Sequence, residues 1–151
     1  MSPGRSRNRV AVLHGVNLDM LGRRDPEHYG TISLGELQVR IKRFASALDL
    51  EASFFQTNHE GEFVEHLHRL PDRADAALLN PGAWTHYSYA IRDALEVSGV
   101  PAVEVHLSDV KSREKWRRTS VLEGLVLDVV SGQGPEGYRR ALEIVNERLG
   151  G

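Results

Sequence analysis

Ala76-Ala77-Leu78-Leu79-Asn80-Pro81-Gly82-Ala83-Trp84-Thr85-His86 is the stretch on which the fold turns. Ala76 to Leu79 is a short unbroken apolar run, as a strand buried on both faces requires, and it gives way at once to Asn, Pro and Gly. Pro101 to Leu107 repeats the pattern, with Glu104, His106 and then Ser108 at its end. Strands buried on both faces belong to parallel sheets covered by helices. In such sheets ligands collect at the carboxyl ends of the strands, beside the point where strand order reverses. Two strand ends carrying Asn, His and Ser therefore suggest one pocket.

Working outward, Val10 to Leu13 and Ala52 to Gln56 read as two earlier strands, and Leu125 to Val130 as a fifth. Ser33 and Glu36 form a capping-box pattern ahead of Leu34, Leu37, Ile41, Phe44 and Leu48, the stripe of an amphipathic helix. Asn58 can cap a helix with Phe63, Leu67 and Leu70 on its inner face. Further helices run through Ala90, Ile91, Ala94 and Leu95, around Arg113 to Arg118, and through Tyr138, Ala141, Leu142, Val145 and Leu149. Strand and helix alternate without repeat or linker, which predicts a single α/β domain over residues 1–151, with 1–8 as a flexible N-terminal extension. The natural architecture is a flavodoxin-like three-layer fold with a five-stranded parallel sheet in the order 2-1-3-4-5, although the pattern alone does not fix that order. The segment from Gly15 to Gly30 is long against a typical βα loop of about two to six residues, and such loops are usually functional or disordered. It holds Asn17, Arg23, Arg24 and Tyr29.

Composition narrows the classes. A formal charge of -2 gives no electrostatic reason to expect nucleic acid or an anionic membrane as partner. Arg5, Arg7 and Arg9 are followed by no apolar stretch long enough for a signal or transmembrane helix, so a cytoplasmic address is the default. With no cysteine, disulfides, thiolate nucleophiles and cysteine-ligated metals are excluded. No Asp, Glu and His spacing suggests a metal site, and His66 and His68 point to different faces of their helix, so exposed helix histidines are the better reading. Lys42, Lys111 and Lys115 lie in polar helical surroundings unsuited to Schiff-base chemistry. Gly132-Gln133-Gly134-Pro135-Glu136-Gly137 matches a dinucleotide fingerprint, but the chain ends before the acidic residue that motif requires, and a tight turn into the last helix is the better reading.

The remaining candidates are Asn17, Arg24, Tyr29, Asn80, His86, His106, Ser108, Arg113 and Arg117. Tyrosine is a poor base at its ordinary pKa of about 10, but cationic neighbours favour the phenolate, and Arg24 and Arg113 could supply that field. His106 could act as a general acid with Glu104, on the same strand face, holding its ring. Each of these residues has a plain structural reading as well: a loop tyrosine can be a packing anchor, and a strand-end histidine can merely satisfy a backbone group.

Asn17-Leu18 with Leu21-Gly22 and Arg24-Asp25-Pro26-Glu27-His28-Tyr29-Gly30 resembles the opening motif of type II 3-dehydroquinate dehydratases. Gln56 to Glu62, Asn80 to His86, Ala90 to Leu95, Glu104 to Ser108, Arg113 to Arg117 and Gly137-Tyr138 are similar to that family's later motifs, in the same order. The resemblance implies a flavodoxin-like enzyme, assembled as trimers that form a dodecamer. It would convert 3-dehydroquinate to 3-dehydroshikimate without metal or organic cofactor, in aromatic amino acid biosynthesis (the shikimate pathway) or quinate breakdown. It implies Tyr29 as the base and Arg24 as the lid cation favouring its phenolate. Asn17 would hold the water on the enolate oxygen, and His106, oriented by Glu104, would protonate the leaving hydroxyl. Asn80, His86 and Arg117 would bind ring hydroxyls and the amides of Leu107 and Ser108 the carboxylate. Arg113 would sit beside the tyrosine, and Asp93 would reach a neighbouring subunit's site.

The chain departs from the family pattern at His14-Gly15-Val16-Asn17, where Asn-Gly-Pro-Asn is usual, at Asp19, at Thr119 in place of a frequent histidine, and at Glu123-Gly124 in place of Ser-Pro. His14 can titrate and so could alter a pH profile, and the missing proline frees a backbone dihedral before Asn17. Two alternatives to the dehydratase stay open on the sequence. One is a diverged relative that binds a hydroxy acid without turnover; the other is a nucleotide- or flavin-binding module resting on Gly132 to Gly137.

Overall fold

The computed structural model describes residues 7–151. Most of the expected N-terminal extension lies outside them, while Asn8 already joins the fold by donating its N–H to Asp75 at 3.1 Å. Five parallel strands form one sheet: β1 (Arg9–His14), β2 (Glu51–Gln56), β3 (Ala76–Asn80), β4 (Ala102–His106) and β5 (Val129–Ser131). Their order is β2-β1-β3-β4-β5, the flavodoxin-like order expected. The single turn α1 (Pro26–Tyr29) sits in the long first loop. Helices α2 (Leu34–Ser46) and α5 (Glu136–Arg148) cover one face, where Leu37, Ile41, Tyr138, Leu142 and Val145 meet Val10, Val12, Leu78 and Val105. Helices α3 (Glu60–Arg73) and α4 (Tyr89–Ser98) cover the other, where Phe63, Leu67, Ile91 and Leu95 meet Ala11, Leu13, Ala77 and Leu79. Successive strand residues serve opposite layers, which is why β3 and β4 are buried along their length and apolar apart from Asn80, Glu104 and His106.

The capping box at Ser33 is present: its hydroxyl accepts from the Glu36 N–H at 3.1 Å, and Glu36 accepts from the Ser33 N–H at 3.3 Å. Four expectations need correction. The fifth strand is shorter and later than Leu125 to Val130, because Leu125 to Leu127 lie in turns. The apolarity of Leu125 and Val126 reflects packing against the α3/α4 layer, and pairing with β4 begins only at Val129, opposite Glu104. The charged helix around Arg113 to Arg118 is two separate 3-10 turns, Val110–Ser112 and Lys115–Arg118, with Arg113 extended between them. Asn58 does not cap α3. His59 stands at the N-cap without a side-chain bond, while the Asn58 amide is committed to the first loop. His66 is not simply exposed but stacks on Phe55, with ring centroids 4.1 Å apart.

Strand order reverses between β1 and β3, and there the backbones themselves are in contact. The Gly15 N–H donates to the Asn80 carbonyl at 2.7 Å. A Cβ on Gly15 would stand 2.3 Å from the Pro81 carbonyl oxygen, and one on Gly82 (φ +66°) 2.5 Å from that of Val16. Only glycine permits both the approach and the positive φ at Gly82. This closure brings the first loop, with Asn17, against the end of β3.

Candidate active site

The cavity at the switch point has a volume of about 160 Å³. That is small beside ordinary ligand pockets of about 300–1,000 Å³, and it suits a small ring acid rather than a flavin or dinucleotide. Asn17, Arg24, Tyr29, Asn80, His86, His106, Leu107, Ser108 and Arg117 all line it. Arg113 stands just behind, and Glu104 lies beneath His106. Asp93 is the one candidate set apart: it lies exposed on α4 beside Tyr89, Arg92 and Glu96.

Tyr29 ends α1, whose entry is fixed by Asp25 accepting from the Glu27 N–H at 3.0 Å, with Pro26 in the first helical position. Arg113 Nη1 donates to the Tyr29 hydroxyl oxygen at 2.6 Å and to Ser108 Oγ at 3.3 Å. The Arg24 guanidinium lies over the Tyr29 ring, 3.8 Å from its centroid. Two guanidinium groups therefore bear on one phenol, one on its oxygen and one on its ring face. Burial pulls the Arg24 guanidinium below its ordinary value, the Tyr29 phenol acts in the opposite sense, and Arg117 and Arg113 add to the lowering.

On the other strand end, Glu104 and His106 lie two apart on β4 and so share a face. His106 Nε2 meets Glu104 Oε2 at 2.5 Å, which leaves Nδ1 for the cavity. Thr85 donates to Glu104 Oε2 at 2.6 Å and Ser120 to Oε1 at 2.5 Å. Burial alone would raise the Glu104 carboxyl, but the bond and charge of His106 and the two hydroxyls outweigh it and hold the group below the usual range. A buried carboxylate with three donors keeps its charge next to the imidazole.

His86 is placed by a bond of 2.7 Å between Nδ1 and the Thr119 carbonyl. A carbonyl only accepts, so Nδ1 carries the proton and Nε2 remains an acceptor. Chiefly by burial, His86 is held below its ordinary value and stays neutral near pH 7, the Thr119 carbonyl opposing the shift in part. The Thr119 contribution is made by backbone, so the usual histidine is not needed for it. Arg117 is steadied by Glu114 at 2.5 Å. Asn80 accepts from the Gly82 N–H at 3.1 Å, and Gly132 and Gly134 donate their N–H groups to the carbonyls of Ser108 and Leu107 at 3.0 and 3.2 Å. The glycine turn thus braces the β4 exit rather than offering those amides to a phosphate.

Sequence reasoning missed Thr85 and Ser120, as well as Trp116, which lines the cavity and meets His86 edge-on at 5.2 Å between ring centroids. Thr85 stands inside the motif already singled out. Ser120 gave no signal, because it reaches Glu104 only after the 119–123 segment folds back. The Val121 N–H donates to the Thr85 carbonyl at 2.7 Å and Arg92 donates to the Val121 carbonyl at 2.6 Å, fixing that fold-back.

A family model described as dehydroquinase class II matches residues 8–146. The chain belongs to this family. It is 45% identical to the 3-dehydroquinate dehydratase of Pelobacter propionicus over 93% of this chain and 95% of that protein. To the protein of that name from Thermotoga petrophila it is 48% identical, over 93% and 96%. The crystal structure of the type II dehydroquinase from Butyrivibrio crossotus superimposes with a TM-score of 0.89 at 38% identity, over 94% of this chain and 99% of that one. Among the described residues no helix is long and apolar enough to cross a membrane.

Proposed function

We propose that this chain eliminates water from 3-dehydroquinate to give 3-dehydroshikimate, with Tyr29 as the base and His106 as the acid. The observation that carries the reading is one small cavity holding both a tyrosine under two guanidinium groups and a histidine on a buried carboxylate. The same activity is in the names of the relatives that match over more than nine-tenths of the chain. Tyrosinate takes the proton from C2, next to the C3 ketone, and charge collects on the ketone oxygen. Asn17 holds that oxygen through a water molecule, the oxyanion-hole role. The C1 hydroxyl then leaves as water, carrying the proton supplied by His106. The proton gained by Tyr29 returns to His106 before the next turnover. Glu104 orients the imidazole and stabilises its charged form, while Arg24 and Arg113 do the same for the phenolate.

Asn80, neutral His86 and Arg117 hold the ring hydroxyls, and the Leu107 and Ser108 amides hold the carboxylate. The loop carrying Arg24 and Tyr29 closes over the substrate as a lid. The product serves the shikimate pathway or quinate breakdown. For assembly we favour trimers joined into a dodecamer, with Asp93 reaching a neighbouring subunit's cavity; α4 turns Tyr89, 71% exposed, and Val97, 71% exposed, outward beside it. A sedimentation run giving the mass of a single chain would refute that assembly.

The deciding experiment is a continuous ultraviolet assay for the conjugated enone product, run with Tyr29→Phe alongside. The expected result is turnover by the natural chain and a loss of roughly a thousandfold in the variant, within the span of general acid–base contributions. A folded Tyr29→Phe protein that keeps most of its activity would remove Tyr29 from the base role.

A further inference from the structure

Asn17 adopts the left-handed region, with φ 69° and ψ 3°. For residues other than glycine that conformation persists where the surroundings over-determine it. Here the determining group comes from the end of β2, forty-one positions along the chain. Asn58 Oδ1 accepts from the Asn17 N–H at 2.8 Å and from Gln56 Nε2 at 3.2 Å, and the same Gln56 amide donates to the Gly15 carbonyl at 3.2 Å. On its other side Asn58 Nδ2 donates to Asp19 Oδ2 at 3.1 Å. The amide can point only one way, since a backbone N–H only donates and a carboxylate only accepts. Leu18 and Leu21, both buried, tie the rest of the turn to the core.

We propose that Asn58 and Asp19 form a latch that sets the direction of Asn17, making both positioning residues for the reaction. The proposal rests on the reading of Asn17 as the group that serves the enolate oxygen. Neither latch residue lines the cavity, and among the described residues no other side chain accepts from the Asn17 N–H. Asp19 acts by fixing the Asn58 amide: its carboxylate accepts from Nδ2 and so keeps Oδ1 turned towards the Asn17 N–H.

The test is a swap. Asn58→Asp alone sets two carboxylates side by side, and like charges so placed drive the side chain out of the turn. Asn58→Asp combined with Asp19→Asn restores atoms, bonds and net charge with the roles exchanged. Residues coupled in this way give interaction energies that correspond to roughly two- to a hundredfold effects. The expected result is a fall of roughly tenfold in kcat for Asn58→Asp, KM changing far less, and recovery to within about threefold in the double variant. Wild-type kcat in Asn58→Asp, or a double variant no better than the single one, would overturn the latch. If the natural chain itself makes no product from 3-dehydroquinate, the functional reading fails by itself. Hydrogen exchange in Asn58→Ala then decides: an Asn17 N–H exchanging at least tenfold faster supports the latch, and unchanged protection refutes it.

Discussion

His14 and His106 end two strands of the same sheet, both buried, at 0% and 5% exposure, and they live under opposite rules. His14 packs between Phe54 and Tyr138, with ring centroids at 6.3 and 6.4 Å, and neither of its nitrogens has a partner. Burial drives its pKa down to about 4, so it is neutral at physiological pH and the expected influence on a pH profile near neutrality disappears. Burial likewise pushes the Tyr138 phenol up to about 12, with Asn80 opposing it, so this part of the core carries no charge at neutral pH. His106 instead has Glu104 at 2.5 Å. Burial with no partner silences the His14 imidazole, whereas the buried His106 ring is held by a carboxylate on its own strand face.

The most severe way to break the contrast is to give His106 the surroundings of His14. Glu104→Gln keeps the shape and removes the charge, and we expect kcat to fall roughly a hundredfold or more, with KM nearly unchanged. Steady-state kinetics at saturating substrate read this directly, and a Glu104→Gln enzyme within threefold of the natural one would show that the carboxylate only orients.

A second prediction uses the acid side. The folded-state pKa of His14, about 4, lies below its ordinary value of 6.5. The folded chain therefore binds fewer protons than the unfolded chain between those values. The stability involved is complete above pH 6.5 and is lost as pH falls towards 4. Between pH 7 and pH 5 the loss is about 2 kcal/mol, and His14→Asn should abolish it. Urea unfolding at both pH values, at one protein concentration, checks this; an equal acid loss in both proteins would mean that His14 is not the group responsible. The smallest effect is expected from Ser120→Ala, which takes one of three donors from Glu104. A drop in kcat of roughly tenfold is expected, the low end of what one bond to a charged group contributes, because His106 and Thr85 still hold Glu104; a drop as large as that of Glu104→Gln would instead point to collapse of the 119–123 segment.

What could be read from sequence follows the range of the interactions. β3 and β4 were legible because a strand buried on both faces needs an uninterrupted apolar run, and the residues ending them were legible because polar groups interrupt it. Asp93 could be picked out only through the family resemblance, and it stands away from this chain's own cavity. Leu125 and Val126 misled because apolarity reports burial and not hydrogen bonding. Asn58 fitted a local helix-start pattern, while its actual partner lies across the β1–β2 crossover. Ser120 and Thr85 acquire their purpose only where three segments converge on Glu104. His14 could be seen as titratable, but not as sealed off without a partner.

The contact of Gly15 with Pro81 and of Gly82 with Val16 bears on how the cavity can change over time. No side chain can be added on that wall without prising β1 from β3, so its outline is closed to gradual substitution. The opposite rim is built from loops rather than from the sheet: the residues around Arg24 and Tyr29 in the first loop, and the turn carrying the exposed Trp116 beside Arg117. A descendant of this chain that takes a different ring acid would carry its changes on that rim and inherit the glycine wall intact.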